Sequence, residues 1–267
     1  MGDNMKLVNK TTEGGKVVKL KDYKKRVRRN RLKRKLLLVL LILLVIALIL
    51  LYAPFMKIKN INSVGNEKVP CEEIIASSQI YKGNNIFRIN KSKATKNIED
   101  IPYIKSVSID RILPSTISII VEECQVCGYI LDNKKIVYID EGGKVLEVSD
   151  TIPEKTAAII NGVKLTKSNV NEVCEFKNKQ KLQALTSIMS AIVNSRFNGL
   201  VTAIEISDVK KIVITVNDKL DIIIGDVENL DYKVNFMASG AYDSLGSNRS
   251  GILDVSYGSS AVYKEKQ

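Results

Sequence analysis

Residues 104–123 read IKSVSIDRILPSTISIIVEE, and the parity of this stretch fixes how the neighbouring chain must pack. From Thr116 onward Ile117, Ile119 and Val121 share one face of an extended chain while Ser118 and Glu122 share the other, as a half-buried strand requires. Leu113-Pro114-Ser115 supplies turn chemistry just before it, so residues 104–110 are expected to run as the partner strand. The buried face needs a covering layer. Upstream, Asn90 is suited to cap a helix in which Ala94, Ile98 and Ile101 recur at i, i+4 and i+7, and Pro102 ends it. Further back, Pro70 fits the first position of another helix, with Glu72 and Glu73 in the turn where the helix dipole favours acids. Residues 57–64 have strand composition and close on Gly65-Asn66. The order strand, helix, helix, strand, strand predicts a small α+β layer with both helices on one face.

Outward again, residues 36–51 read LLLVLLILLVIALILL without a polar interruption. Extended through Phe55, the run 36–55 has 20 residues, and at about 1.5 Å per residue it matches the roughly 30 Å core of a bilayer. It predicts one transmembrane helix. Residues 1–35 carry 14 Lys/Arg against three acids, out of 41 and 29 in the whole chain. The remainder is close to neutral, so the formal charge of +12 belongs to a tail flanking the membrane and marks its cytoplasmic side. That placement also argues against nucleic-acid binding. A cleaved signal peptide has a similar layout, but this apolar run is longer than such peptides use and Tyr52-Ala53-Pro54-Phe55 lacks the small-x-small cleavage pattern. The expected topology is a single-pass type II membrane protein with residues 56–267 outside the cytoplasm.

The rest of the chain is rich in strand signals. Residues 211–216 and 219–225 read as a hairpin through Asn217-Asp218, and residues 177–194 place Leu182, Leu185, Ile188, Met189 and Ile192 on one helical face. Several strings here, taken in order, resemble a known family. They are Val64-Gly65-Asn66; Gly83-Asn84-Asn85-Ile86-Phe87-Arg88-Ile89; Ile101-Pro102-Tyr103-Ile104-Lys105-Ser106-Val107; Asp110-Arg111-Ile112-Leu113-Pro114-Ser115-Thr116-Ile117; and Val121-Glu122-Glu123. Directly behind a type II anchor, they resemble the POTRA domain of the FtsQ/DivIB cell-division family. Tyr138-Ile139-Asp140-Glu141-Gly142-Gly143-Lys144-Val145-Leu146, Ile152-Pro153 and the ending Gly251-Ile252-Leu253-Asp254-Val255-Ser256-Tyr257 resemble the family's second, β-rich domain.

The resemblance implies a basic cytoplasmic tail (1–35), a transmembrane helix (36–55), a POTRA-like β-α-α-β-β domain (56–123), a mostly antiparallel β domain with one or more helices (124–263) and a polar end (264–267). It further implies a non-enzymatic scaffold at the division septum that needs no cofactor. Its partners would be small bitopic proteins of the FtsL and FtsB/DivIC type, and it would help recruit and regulate the septal peptidoglycan synthase. Partner contact is expected on the closing region, at Leu253, Val255, Tyr257, Ala261, Val262 and Tyr263. The sequence departs from the family at Glu123-Cys124-Gln125-Val126-Cys127, where a basic residue and a proline usually stand.

Chemistry-bearing patterns are sparse. With no histidine in the chain, the commonest general base and every Ser-His or Cys-His pairing are excluded. Ser207-Asp208-Val209-Lys210 matches the S-x-x-K spacing of penicillin-recognising enzymes without their companion elements, and it defines the alternative reading, a membrane-anchored envelope transpeptidase or hydrolase. Cys124-x-x-Cys127, with Cys71 and Cys174, admits structural thiols, a disulfide or a metal knuckle, and the spacing does not choose. Residues 240–246 lack the lysine and preceding strand of a phosphate loop. The acid neighbours Glu122-Glu123 and Asp140-Glu141 suit a strand end and a turn. A POTRA chaperone for protein translocation is a third reading, weakened because no barrel-forming stretch follows.

Overall fold

The structure, a computed structural model, describes residues 20–52, 54–150, 157–246, 250–258 and 260–265. The basic residues before position 20 and the Ile152-Pro153 segment lie outside the described residues. Helix α1 (Leu20–Tyr52) begins within the basic tail and continues into the apolar run without a break. Its apolar side chains are described only as far as residue 49, and residues 36–49 amount to roughly 21 Å of helix. Among the described residues no helix is long and apolar enough to cross a membrane.

The N-terminal domain contains β1 (Asn60–Val64), α2 (Cys71–Ser78), α3 (Lys91–Glu99), β2 (Ile104–Ile112) and β3 (Thr116–Glu123). Strand β3 lies in the middle of the sheet, parallel to β1 and antiparallel to β2. Ile117, Ile119 and Val121 are buried with Ile74 of α2 and Ala94 and Ile98 of α3, so the helices cover the face that the alternation predicts. The Asn90 side chain accepts from the Lys93 amide and caps α3. Local chemistry also explains the recurring strings. Gly65 adopts φ +89°, and a Cβ there would collide with the Val121 carbonyl oxygen. The Glu123 carboxylate accepts the amides of Glu67, Lys68 and Val69 at 2.9–3.1 Å, which holds the approach to α2 against the end of β3. Arg111 donates from Nε to the Ile86 carbonyl at 2.9 Å and ties the 83–90 loop to the sheet.

The second domain is built on nine strands in the order β14-β13-β12-β11-β10-β7-β4-β5-β6. These are β4 (Gly128–Asp132), β5 (Lys135–Ile139), β6 (Val145–Ser149), β7 (Ala158–Asn161), β10 (Val201–Glu205), β11 (Ile212–Val216), β12 (Leu220–Gly225), β13 (Gly251–Asp254) and β14 (Val262–Glu265), while β8 (Leu165–Lys167) and β9 (Glu175–Phe176) form a separate pair. Five of the eight pairings in the large sheet are antiparallel; β10–β7, β4–β7 and β12–β13 are parallel. Asn217 and Asp218 both take positive φ, as a two-residue turn matching strand twist demands. Helix α4 (Lys179–Val193) buries Ala184, Leu185, Ile188, Met189 and Ile192 against the sheet, with Leu182 at the margin. Helices α5 (Leu230–Phe236) and α6 (Tyr242–Leu245), joined by a π-helical turn, complete the layer with Leu230, Val234, Met237 and Tyr242. The closing strand continues through Glu265, past the expected boundary at 263.

Polar contacts bridge the two domains at the β6 side. Tyr103 donates its hydroxyl to Glu147 at 2.7 Å, Lys144 Nζ donates to the Ile104 carbonyl at 3.1 Å, and Lys105 pairs with Glu141 at 3.2 Å. The chain crosses the joint through residues 124–127, which belong to no helix or strand.

Candidate functional site

The far edge of the large sheet is the part of the second domain best suited to contact another chain. Strand β13 pairs parallel with β12, and β14 folds back antiparallel on β13, leaving the outer backbone edge of β14 without a strand neighbour among the described residues. The opposite edge is occupied: the Val145 amide of β6 donates to Glu172, and the Val145 carbonyl accepts from Asn171. An edge strand of this kind is a template for an incoming strand.

The residues expected at this edge divide by environment. Leu253 and Val255 are buried in the core at 1% and 0% exposure, so their side chains cannot meet a partner. Tyr263 is half-buried, its ring lies across Gly251, and its hydroxyl donates to the Ser250 carbonyl at 3.2 Å. Ala261 and Val262 are exposed, and Tyr257 stands 79% exposed. Strand β13 ends at Asp254, three residues before Tyr257. There the Asp254 carboxylate accepts the Ser256 amide, the Gly258 amide donates to the Val255 carbonyl, and the chain turns, carrying Tyr257 on its tip.

A neighbouring aromatic, Tyr232 on α5, completes this surface. It is 57% exposed, stacks on Phe236 with ring centroids 6.4 Å apart, and lies within 3.6 Å of where a Cβ on Gly258 would sit. Nothing near Tyr232 in the sequence marks it; only the crossover from β12 to β13 brings α5 beside the 255–258 turn. The crossover is pinned by Lys233, which is 5% exposed. Its Nζ donates to the Asp226 carboxylate at 2.9 Å and to the Asp226 carbonyl at 3.0 Å. Donation from Lys233 holds the Asp226 carboxyl below the usual carboxylate range.

The other sequence candidates are not assembled into sites. Ser207 donates its hydroxyl to the Glu205 carboxylate, in a turn between β10 and β11 where Asp208 accepts the Lys210 amide. Ser207 and Lys210 make no hydrogen bond to each other. All four cysteines are free thiols. Burial pushes Cys124 and Cys174 up to about 11 and Cys127 up to about 12, which suppresses the reactive thiolate. Among the described residues no group of three His, Cys, Asp or Glu side chains is placed to hold a metal ion.

The FtsQ-type POTRA domain description matches residues 56–123 of this chain. The cell division protein DivIB of Clostridium acetobutylicum is 31% identical over 220 residues, which covers 81% of this chain and 86% of that protein. The chain belongs to the DivIB/FtsQ family of cell-division proteins. DivIB of Clostridium tetani is likewise 31% identical, over 206 residues that cover 76% of this chain and 77% of its own length. FtsQ of Corynebacterium glutamicum is 27% identical over 180 residues, or 67% and 75% of the two chains. A solved structure, the major extracytoplasmic domain of the trans isomer of DivIB from Geobacillus stearothermophilus, aligns at TM-score 0.31 and 12% identity over 48% of this chain and 96% of that one; a likeness this loose carries no weight in the assignment. The DivIB/FtsQ family is non-enzymatic.

Proposed function

We propose that this DivIB/FtsQ-family chain is a bitopic, single-pass type II scaffold at the division septum, whose two C-terminal domains lie outside the cytoplasm. The apolar run 36–55 and its basic flank support the anchor and its orientation. The domains take up small bitopic partners of the FtsL and FtsB/DivIC type, and through them help recruit and regulate septal peptidoglycan synthesis. The reading rests above all on the unpartnered edge of β14 beside the exposed Val262 and Tyr257. An incoming strand gains backbone hydrogen bonds along β14, while Tyr257 and Tyr232 supply aromatic contact area next to it.

Tyr257→Ala is the test. The loss of an aromatic anchor is expected to weaken partner binding by about 2 kcal/mol, or about thirtyfold. Because Tyr257 is 79% exposed, the unfolding midpoint should stay where it is. Calorimetry or pull-down with candidate bitopic division proteins, run alongside thermal unfolding, reads both quantities. Unchanged binding would place the contact elsewhere.

A further inference from the structure

The N-terminal domain carries a polar cavity of about 510 Å³ that the partner-binding edge does not use. Lys57, Arg88 and Lys93 converge on it, with Gly83, Asn84 and Asn90 among its walls and no aspartate or glutamate in the lining. The ion pairs of the described residues all lie elsewhere, so among those residues no acid pairs with these three cations. Asn90 and Lys93 also bring the first turn of α3 to the cavity, where the helix dipole adds partial positive charge. A pocket with three cations and a helix start but no acid favours an anion.

Its position narrows the class of anion. The 83–86 wall is sewn to the residues that directly follow the apolar helix: Ile86 donates to the Met56 carbonyl at 2.9 Å, Ile58 to Asn84 at 2.8 Å, and Gly83 to Ile58 at 2.8 Å. Two exposed aromatics, Phe55 at 54% and Tyr81 at 62%, stand beside these segments, and aromatic rings favour the headgroup layer of a membrane. We propose that this cavity binds the phosphate of an anionic phospholipid headgroup, seating the POTRA domain on the bilayer surface. The proposal rests on the reading of residues 36–55 as a membrane span.

The chain has no tryptophan, so Tyr81→Trp introduces a single fluorophore next in sequence to Ile80 of the cavity wall. The full chain with this change, in neutral detergent micelles, is titrated with dihexanoyl phosphatidylglycerol, dihexanoyl phosphatidylcholine and inorganic phosphate. A saturable emission change is expected with the phosphatidylglycerol alone. Each basic side chain near an anionic lipid contributes about fivefold in affinity, so adding Arg88→Gln and Lys93→Gln should weaken the response about thirtyfold. The thermal unfolding midpoint of that variant shows whether the fold is kept. An equal response to inorganic phosphate overturns the lipid assignment, and an undiminished response in the folded variant overturns the cavity. Vesicle flotation of the full chain tests the span separately, so its failure is distinguishable from failure of the pocket.

Discussion

Asp226→Asn is expected to destabilise the second domain by about 3 kcal/mol, because it leaves a buried ammonium without its counter-charge. The Lys233 side chain is 6% exposed, whereas that of Asp226 is 45% exposed. Solvent therefore screens the carboxylate's half of the pair, which sets the expectation at the low end for broken buried pairs. Replacing both partners, Asp226→Asn with Lys233→Met, should recover most of the loss, since the apolar side chain fills the same space without a charge to compensate. The pH dependence has a definite sign. The Asp226 carboxyl titrates lower in the folded protein than in the unfolded chain, so its contribution is present above the ordinary aspartate range, about 4, and is lost as the pH falls below it. Thermal unfolding across that interval should show the wild-type protein losing more stability than Asp226→Asn does. Equal slopes would mean that the pair contributes nothing.

Ile119→Ala is expected to destabilise the N-terminal domain by about 2 to 5 kcal/mol, the range for emptying a fully packed aliphatic site. Ile119 has 0% exposure and lies beneath the helices in the middle strand of a three-stranded sheet, where few neighbours can move in to fill the space. Ser118→Ala, one residue away on the opposite face, should change stability by under about 0.5 kcal/mol. Chemical denaturation of the two variants checks the parity of β3. Equal small effects would mean that β3 packs in another register.

This parity could be read from the sequence because a strand with one wet face writes its register into every second residue. The α3 cap at Asn90 and the turn at Asn217-Asp218 were legible for a related reason: each depends on residues within three positions of itself. The nine-strand order was not, since β7 pairs with both β4 and β10, and β12 lies parallel to β13 across a helical crossover. Such pairings leave no local pattern. Leu253, Val255 and Tyr257 keep strand spacing, but the Asp254 carboxylate captures the Ser256 amide and turns the chain before Tyr257. The burial of Lys233 follows only from where the crossover lays α5. The same crossover hides Tyr232, which joins the candidate surface through packing rather than pattern.

Amide hydrogen exchange of the full chain, with and without a bound candidate bitopic division protein, tests strand addition at β14 most directly. The amides of Val262–Glu265 that face away from β13 should exchange freely in the isolated chain and become protected in the complex, because an added strand would accept from them. Protection that appears on another surface while the outward amides of β14 exchange at unchanged rates would contradict the account.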